Sequence, residues 1–271
     1  MSYGLDLQTR KKIIDDFVST HQPLVNMELA SSVKEYQSAR VKDSTILVED
    51  ALNPSQILEM CINRNLKHVI QNSKMSLKQK FEIAQRLLKN PLESLHFGFP
   101  LFKDAEVSHI FEFSSDTNRT NLLKTVLEKL NVDIKNHNQE HIVSSVEELI
   151  MNAQVHAPRY GSFKSPHRMS FLTEKKDDYV ALSVFDDYGT LTVNRFLNKI
   201  LNTFTLGVKK SINYGTGGAG LGSSIIFANA EVLYLGILPK RITRVTVLCP
   251  FKKREKEKEL EQKSIQIIDK L

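Results

Sequence analysis

With 271 residues, 41% of them apolar and 25% charged, the chain is long enough to bury a core of its own without covalent staples. Its two cysteines, Cys61 and Cys249, stand far apart with no metal or redox spacing, which excludes a disulfide framework and fits a reducing, cytoplasmic setting. The net charge of +6 does not imply nucleic-acid binding. Much of the excess lies in the sign-alternating run Lys252-Lys253-Arg254-Glu255-Lys256-Glu257-Lys258, there is no Trp, and no basic patch is interleaved with aromatics.

Residues 1–22 are mixed and polar, so no signal peptide is expected. No apolar run approaches the roughly 20 residues of a membrane span. Residues 1–40 read as helical and polar. Thr45-Ile46-Leu47-Val48 predicts a short strand, Asn53-Pro54 opens a helix through Ile62, and Leu66 to Ile70 predicts a second strand. Ser76 caps a helix to Leu88, with Leu77, Phe81, Ala84, Leu87 and Leu88 at helical spacing, and Asn90-Pro91 ends it. Residues 91–105, with Pro91, Gly98 and Pro100, read as a connector.

The pattern then changes. His109 to Phe113 predicts a strand, Ser114-Ser115-Asp116 a turn, and Arg119 to Leu130 an amphipathic helix. A second helix is expected from Gln139 to His156. Strands follow at 168–172 and 179–185, then a glycine-rich segment at 213–222, a helix to Asn229, and strands at 231–238 and 243–249. The expected fold class is α/β, a two-layer sandwich of helices on a mixed sheet. The expected organisation is a mainly helical docking or dimerisation region at 1–105, an α/β domain at 106–251, and a charged C-terminal helix at 252–271. Leu260, Ile265, Ile268 and Leu271 give that helix a weak apolar side. The order of elements between 45 and 88 is that of part of a receiver domain, but Glu49 and Asp50 have no phosphoacceptor Asp or switch Lys beside them.

Three segments carry chemistry. Glu148, Asn152 and His156 are four residues apart, so a helix stacks them on one face. An Asn oxygen is a hard ligand suited to Mg2+, and a Glu one turn earlier can orient or deprotonate a hydroxyl. A solvent-facing polar stripe has the same pattern. Ser183-Val184-Phe185-Asp186-Asp187-Tyr188-Gly189 runs a buried strand into two acids and a glycine. A carboxylate there can accept from an exocyclic amine such as that of adenine, and the glycine lets backbone approach the ring; an ordinary strand-ending turn reads the same way. Tyr214-Gly215-Thr216-Gly217-Gly218-Ala219-Gly220-Leu221-Gly222-Ser223-Ser224 has five glycines in eight residues and leads into a helix. Bare backbone amides beside a helix N-terminus make an anion cradle.

In this order and spacing the segments resemble the GHKL superfamily of ATPases and kinases (gyrase, heat-shock chaperone, histidine kinase, mismatch-repair protein). Glu148-Leu-Ile-Met-Asn152-Ala153 with His156 looks like its N box, Asp186-Asp187-Tyr188-Gly189 like its first glycine box, and Gly218-Ala219-Gly220-Leu221-Gly222 like its second. Thr243 stands where that family has a threonine near the adenine. The resemblance spans about 106–250 and implies a Bergerat fold with ATP between sheet and helices. It implies Asn152 on Mg2+, Glu148 as the catalytic base, and a mobile lid over 190–217. It further implies nucleotide contacts from His156, Asp186 or Asp187, Gly189, Gly215, Thr216, Gly217, Gly218, Ala219, Gly220, Leu221, Gly222 and Thr243. The chain departs from the pattern at Leu191, where a second glycine is usual.

About 20 residues follow Phe251, too few for the transducer domain of the gyrase-like members. His96, His109, His137 and His141 lack the acidic neighbour and following proline of a histidine-kinase acceptor, and His68 sits in an apolar stretch as a structural residue would. The compact anti-sigma serine-kinase type is the closest resemblance. It implies a cytoplasmic Ser/Thr protein kinase of bacterial signal transduction, acting on an anti-anti-sigma-like or sigma-like partner protein, away from nucleic acid and membrane. A homodimer stays open. The alternatives are a non-catalytic nucleotide-gated sensor and a divergent histidine kinase.

Overall fold

The computed structural model describes residues 8–9, 12, 28–30, 45–49, 52–159, 168–206, 221–252 and 262–269. They build an α/β fold on one mixed sheet of nine strands. In chain order the strands are β1 (Glu28–Ala30), β2 (Thr45–Val48), β3 (His68–Ile70), β4 (Val107–Phe113), β5 (Met169–Lys176), β6 (Tyr179–Asp186), β7 (Val232–Leu238), β8 (Ile242–Pro250) and β9 (Ser264–Ile268). Their spatial order is β1-β2-β3-β9-β7-β8-β6-β5-β4. The run β1-β2-β3 is parallel, β9 is antiparallel to β3 and parallel to β7, and the rest is antiparallel.

The helices are α1 (Pro54–Asn63), α2 (Leu77–Lys89), α3 (Arg119–Lys129), α4 (Glu140–Met151), α5 (Ala157–Arg159), α6 (Val193–Leu206) and α7 (Gly222–Asn229). Local chemistry starts α1 and α2 where the sequence predicts. Asn53 and Gln56 close a capping box, with Pro54 at the first helical position, and Ser76 and Gln79 close another. Strand side chains alternate between two cores. Leu182, Val184, Val245, Val247, Leu233 and Ile265 face the helical layer of α1, α3, α4, α6 and α7. Tyr179, Ala181, Val232, Tyr234 and Leu248 face the other way, under α2 and the connector.

That connector is more than a linker. It contains a 3-10 turn, Glu93–Leu95, and it buries Leu95, Leu101 and Phe102 against the sheet. Two buried charges tie it down. Arg244, fully buried, donates to the carbonyls of Ser94 (2.7 Å) and Phe99 (3.0 Å). Glu174 accepts from the amides of Leu101 (2.8 Å) and Phe102 (2.9 Å). A buried charge requires this kind of satisfaction.

Two expectations change. The tail is not helical where it is described: Ser264–Ile268 is a strand with all five residues buried between β3 and β7. Its β-branched isoleucines suit a pleated interior, and the spacing of Ile265 and Ile268 also mimics a helix stripe. The described part of 1–105 has more helical than strand residues, but it also contributes three strands, among them Glu28–Ala30 inside the stretch expected to be helical, and these strands share the sheet of the later residues.

Candidate functional site

The ends of β6 and β8 lie side by side, with Asp186 opposite Thr243 in the register. Above them opens a cleft of about 610 Å³ of empty space, its mouth included. Val184, Asp186, Thr243 and Val245 form its floor. Asn152, Ala153 and Ala157 form one wall; Leu191, Arg195, Phe196 and Lys199 form the other, with Ser223 from the start of α7 at its end. The size and the mainly apolar lining with a few convergent polar groups suit a small ligand.

The Asn152 wall has an unusual backbone. From Asn152 to His156 the chain takes a π-helical turn, closed by the amide of Ala157 donating to the carbonyl of Asn152. The regular four-residue stack expected from Glu148 to His156 therefore holds only as far as Asn152. The side chain of His156 lies outside what is described. Such wide turns recur at functional positions.

Asp186 is buried, and its Oδ1 accepts from the amides of Tyr188 (3.0 Å) and Gly189 (3.2 Å). Burial pushes its carboxyl from 3.8 up to about 6, with the Asp187 charge adding a little; the two amides and the nearby Thr243 hydroxyl pull the other way. The Thr243 hydroxyl favours the carboxylate by proximity, but it is buried and forms no hydrogen bond of ordinary length and angle. Asp187 points elsewhere, its Oδ1 accepting from the Arg168 amide (3.0 Å), and it does not line the cleft. Of the two acids, Asp186 is the one at the site.

Gly189 is needed, but not for a ring to approach. Its φ is +58°, and a Cβ there would sit 2.3 Å from the Arg241 amide nitrogen and 2.6 Å from the Leu238 carbonyl. The β7–β8 turn packs on it.

Glu148 does not line the cleft. Its carboxylate lies against Gly222 at the start of α7, beside Ser223 of the cleft, so close that a Cβ on Gly222 would overlap it. Its Oε2 is buried without a hydrogen-bond partner among the described residues. Burial raises its pKa, the Glu147 charge adds to this, and Arg119 opposes it. Leu221 precedes α7 and Gly222 is its first residue, while Gly215, Thr216, Gly217, Gly218, Ala219 and Gly220 lie outside the described residues.

The cleft also has members that no motif covers, Arg195 and Lys199, and one, Ser223, that follows the glycine-rich segment and carried no assigned role. Arg195 and Lys199 are one turn apart on α6, on the side opposite its buried Leu197. Among the described residues no cluster of three His, Cys, Asp or Glu side chains forms a ready metal cage, and no helix is long and apolar enough to cross a membrane. No protein-family model matches the chain, and no curated protein matches it significantly.

Proposed function

We propose that the cleft binds ATP with Mg2+ in the manner of the GHKL superfamily, and that the protein is a regulatory Ser/Thr protein kinase of the anti-sigma type in bacterial signalling. The observation that carries the reading is the meeting of three distant segments in one cleft: buried Asp186 and Thr243 on the floor and Asn152 on the wall. In this reading Asp186 accepts from the adenine amino group, and the Thr243 hydroxyl beside it bonds a ring nitrogen. Val184, Val245, Ala153 and Phe196 enclose the ring faces. The residues fit Mg2+ held mostly by the ligand: one carboxamide, Asn152, faces the cleft, and phosphate oxygens and water complete such a shell. When bound, the ion neutralises phosphate charge.

Glu148, one turn before Asn152, holds an unpartnered carboxylate oxygen and a raised pKa, both of which suit a general base. In this reading it takes the proton of the acceptor Ser or Thr hydroxyl as that oxygen attacks the γ-phosphorus and the β–γ bridging bond breaks, leaving ADP. Incubation with γ-labelled ATP and candidate acceptors of the anti-anti-sigma kind tests this. Acid-stable label on the acceptor, reduced about a hundredfold or more in Glu148→Gln, is expected; equal labelling by the variant removes the catalytic assignment, and acid-labile label on the protein itself would point to a histidine kinase instead.

One observation favours a second reading, a nucleotide-gated switch without phosphotransfer. Leu191 projects into the cleft where the resemblance expects a glycine. ATP turnover that depends on Asn152 would count against it.

A further inference from the structure

Arg195 and Lys199 bear on how the cleft reads its ligand. The charged side chains of the cleft are segregated by element. The floor offers a buried carboxyl and a hydroxyl, Asp186 and Thr243, while the α6 wall offers a guanidinium and an ammonium. An anionic ligand that entered with its charge toward the floor would meet Asp186, whose pKa is already raised by burial. One that entered with its charge toward α6 would meet two cations. The cleft is therefore oriented for a ligand with a hydrogen-bond donor at one end and negative charge at the other.

The position of Arg195 within α6 strengthens the point. Val193 starts the helix, so Arg195 lies in its first turn, where a positive side chain opposes the helix dipole and where α6 carries no acid. Lys199 follows at the i+4 position, a like-charge spacing that also disfavours an isolated helix. Neither placement suits an isolated helix, and both side chains line the cleft. The opposite side of the helix is fixed. Leu197 and Ile200 are fully buried in the core that also holds Ile57, Leu58 and Cys61 of α1. The two cations thus stand on a helix whose backbone is held by packing before an anion arrives.

We propose that Arg195 and Lys199 are the phosphate-chain contacts of this cleft, and that α6 sets its preference for nucleoside triphosphate over diphosphate and free nucleoside. The proposal rests on the nucleotide reading above. Arg195, with its planar fork, is suited to bridge two phosphate oxygens, and Lys199 acts as a point charge.

Titration calorimetry with ATP, ADP and adenosine, on the full chain and on Arg195→Gln, Lys199→Gln and the double variant, separates the outcomes. The side chains are exposed, and unchanged melting temperatures would show that the variants fold. The expected result is ATP binding weakened about tenfold or more per substitution, ADP less, and adenosine within about twofold of the wild type. If the double variant loses adenosine affinity as much as ATP affinity, or keeps the wild-type preference for ATP, α6 does not read the phosphates and the proposal falls while the nucleotide reading stands. If the wild type binds none of the three, both fall.

Discussion

Asp186 has two environments to satisfy, and they conflict. Its Oδ1 is well served by the amides of Tyr188 and Gly189, but the carboxyl is 7% exposed and its pKa is held near 6. Between about pH 4 and 6 the folded chain retains a proton that the unfolded chain has released. The stability this group gives is full below about pH 4 and is lost as pH rises through 6. Asp186→Asn keeps an oxygen for the two amides and removes the charge. It should raise the thermal midpoint at pH 7 by roughly 2–4 °C, with the gain fading toward pH 4, while ATP binding weakens. A midpoint equal to or below the wild type at both pH values contradicts this. Gly189 is the second residue with a sharp expectation. Gly189→Ala would push a methyl into the β7–β8 turn at a positive φ, and should cost about 2 kcal/mol or more in urea unfolding. Asp186 was legible as a strand-end acid but tied with Asp187, since both stand next to the turn. Only the register opposite Thr243 separates them.

At the scale of elements, caps and alternation were readable, because they are local. Asn53 with Gln56, Ser76 with Gln79, and the apolar stripes of α3 and α4 all fall where the sequence puts them. The π turn after Asn152 was not readable, since nothing in Asn-Ala-Gln-Val-His disfavours an ordinary helix. Nor was β9. Charges flank it, and its isoleucines are compatible with period 2 and with a helix stripe; what decides is a slot between β3 and β7, made by residues nearly 200 and 30 positions away. Ile265 is fully buried there, so Ile265→Ala should lower stability by about 3 kcal/mol. A cost below about 0.5 kcal/mol in denaturant unfolding would mean that the tail does not complete the sheet.

For the whole molecule, the continuous ladder from β1 to β4 has a mechanical consequence. The strands before residue 105 join those after it through β9, α1 packs on α6, and Lys80 of α2 pairs with Glu231 ahead of β7 at 3.5 Å. A separable N-terminal module was the simpler expectation, because the composition shift near 105 resembles a boundary. Calorimetric unfolding should give one cooperative transition; two resolved transitions would contradict the shared core. The same continuity ties the cleft wall α6 to α1. Much of the site was legible: Asn152, Asp186 and Thr243 were singled out from three separate segments, and they converge. Arg195 and Lys199 were missed because they match no motif and gain meaning only from the wall they stand on. The most direct test of the central claim is titration of Mg·ATP into the wild type and Asn152→Ala. The predicted result is binding by the wild type that strengthens with Mg2+, and loss of binding or of its Mg2+ dependence in the variant; equal, Mg2+-dependent binding in both, or none in the wild type, would contradict it.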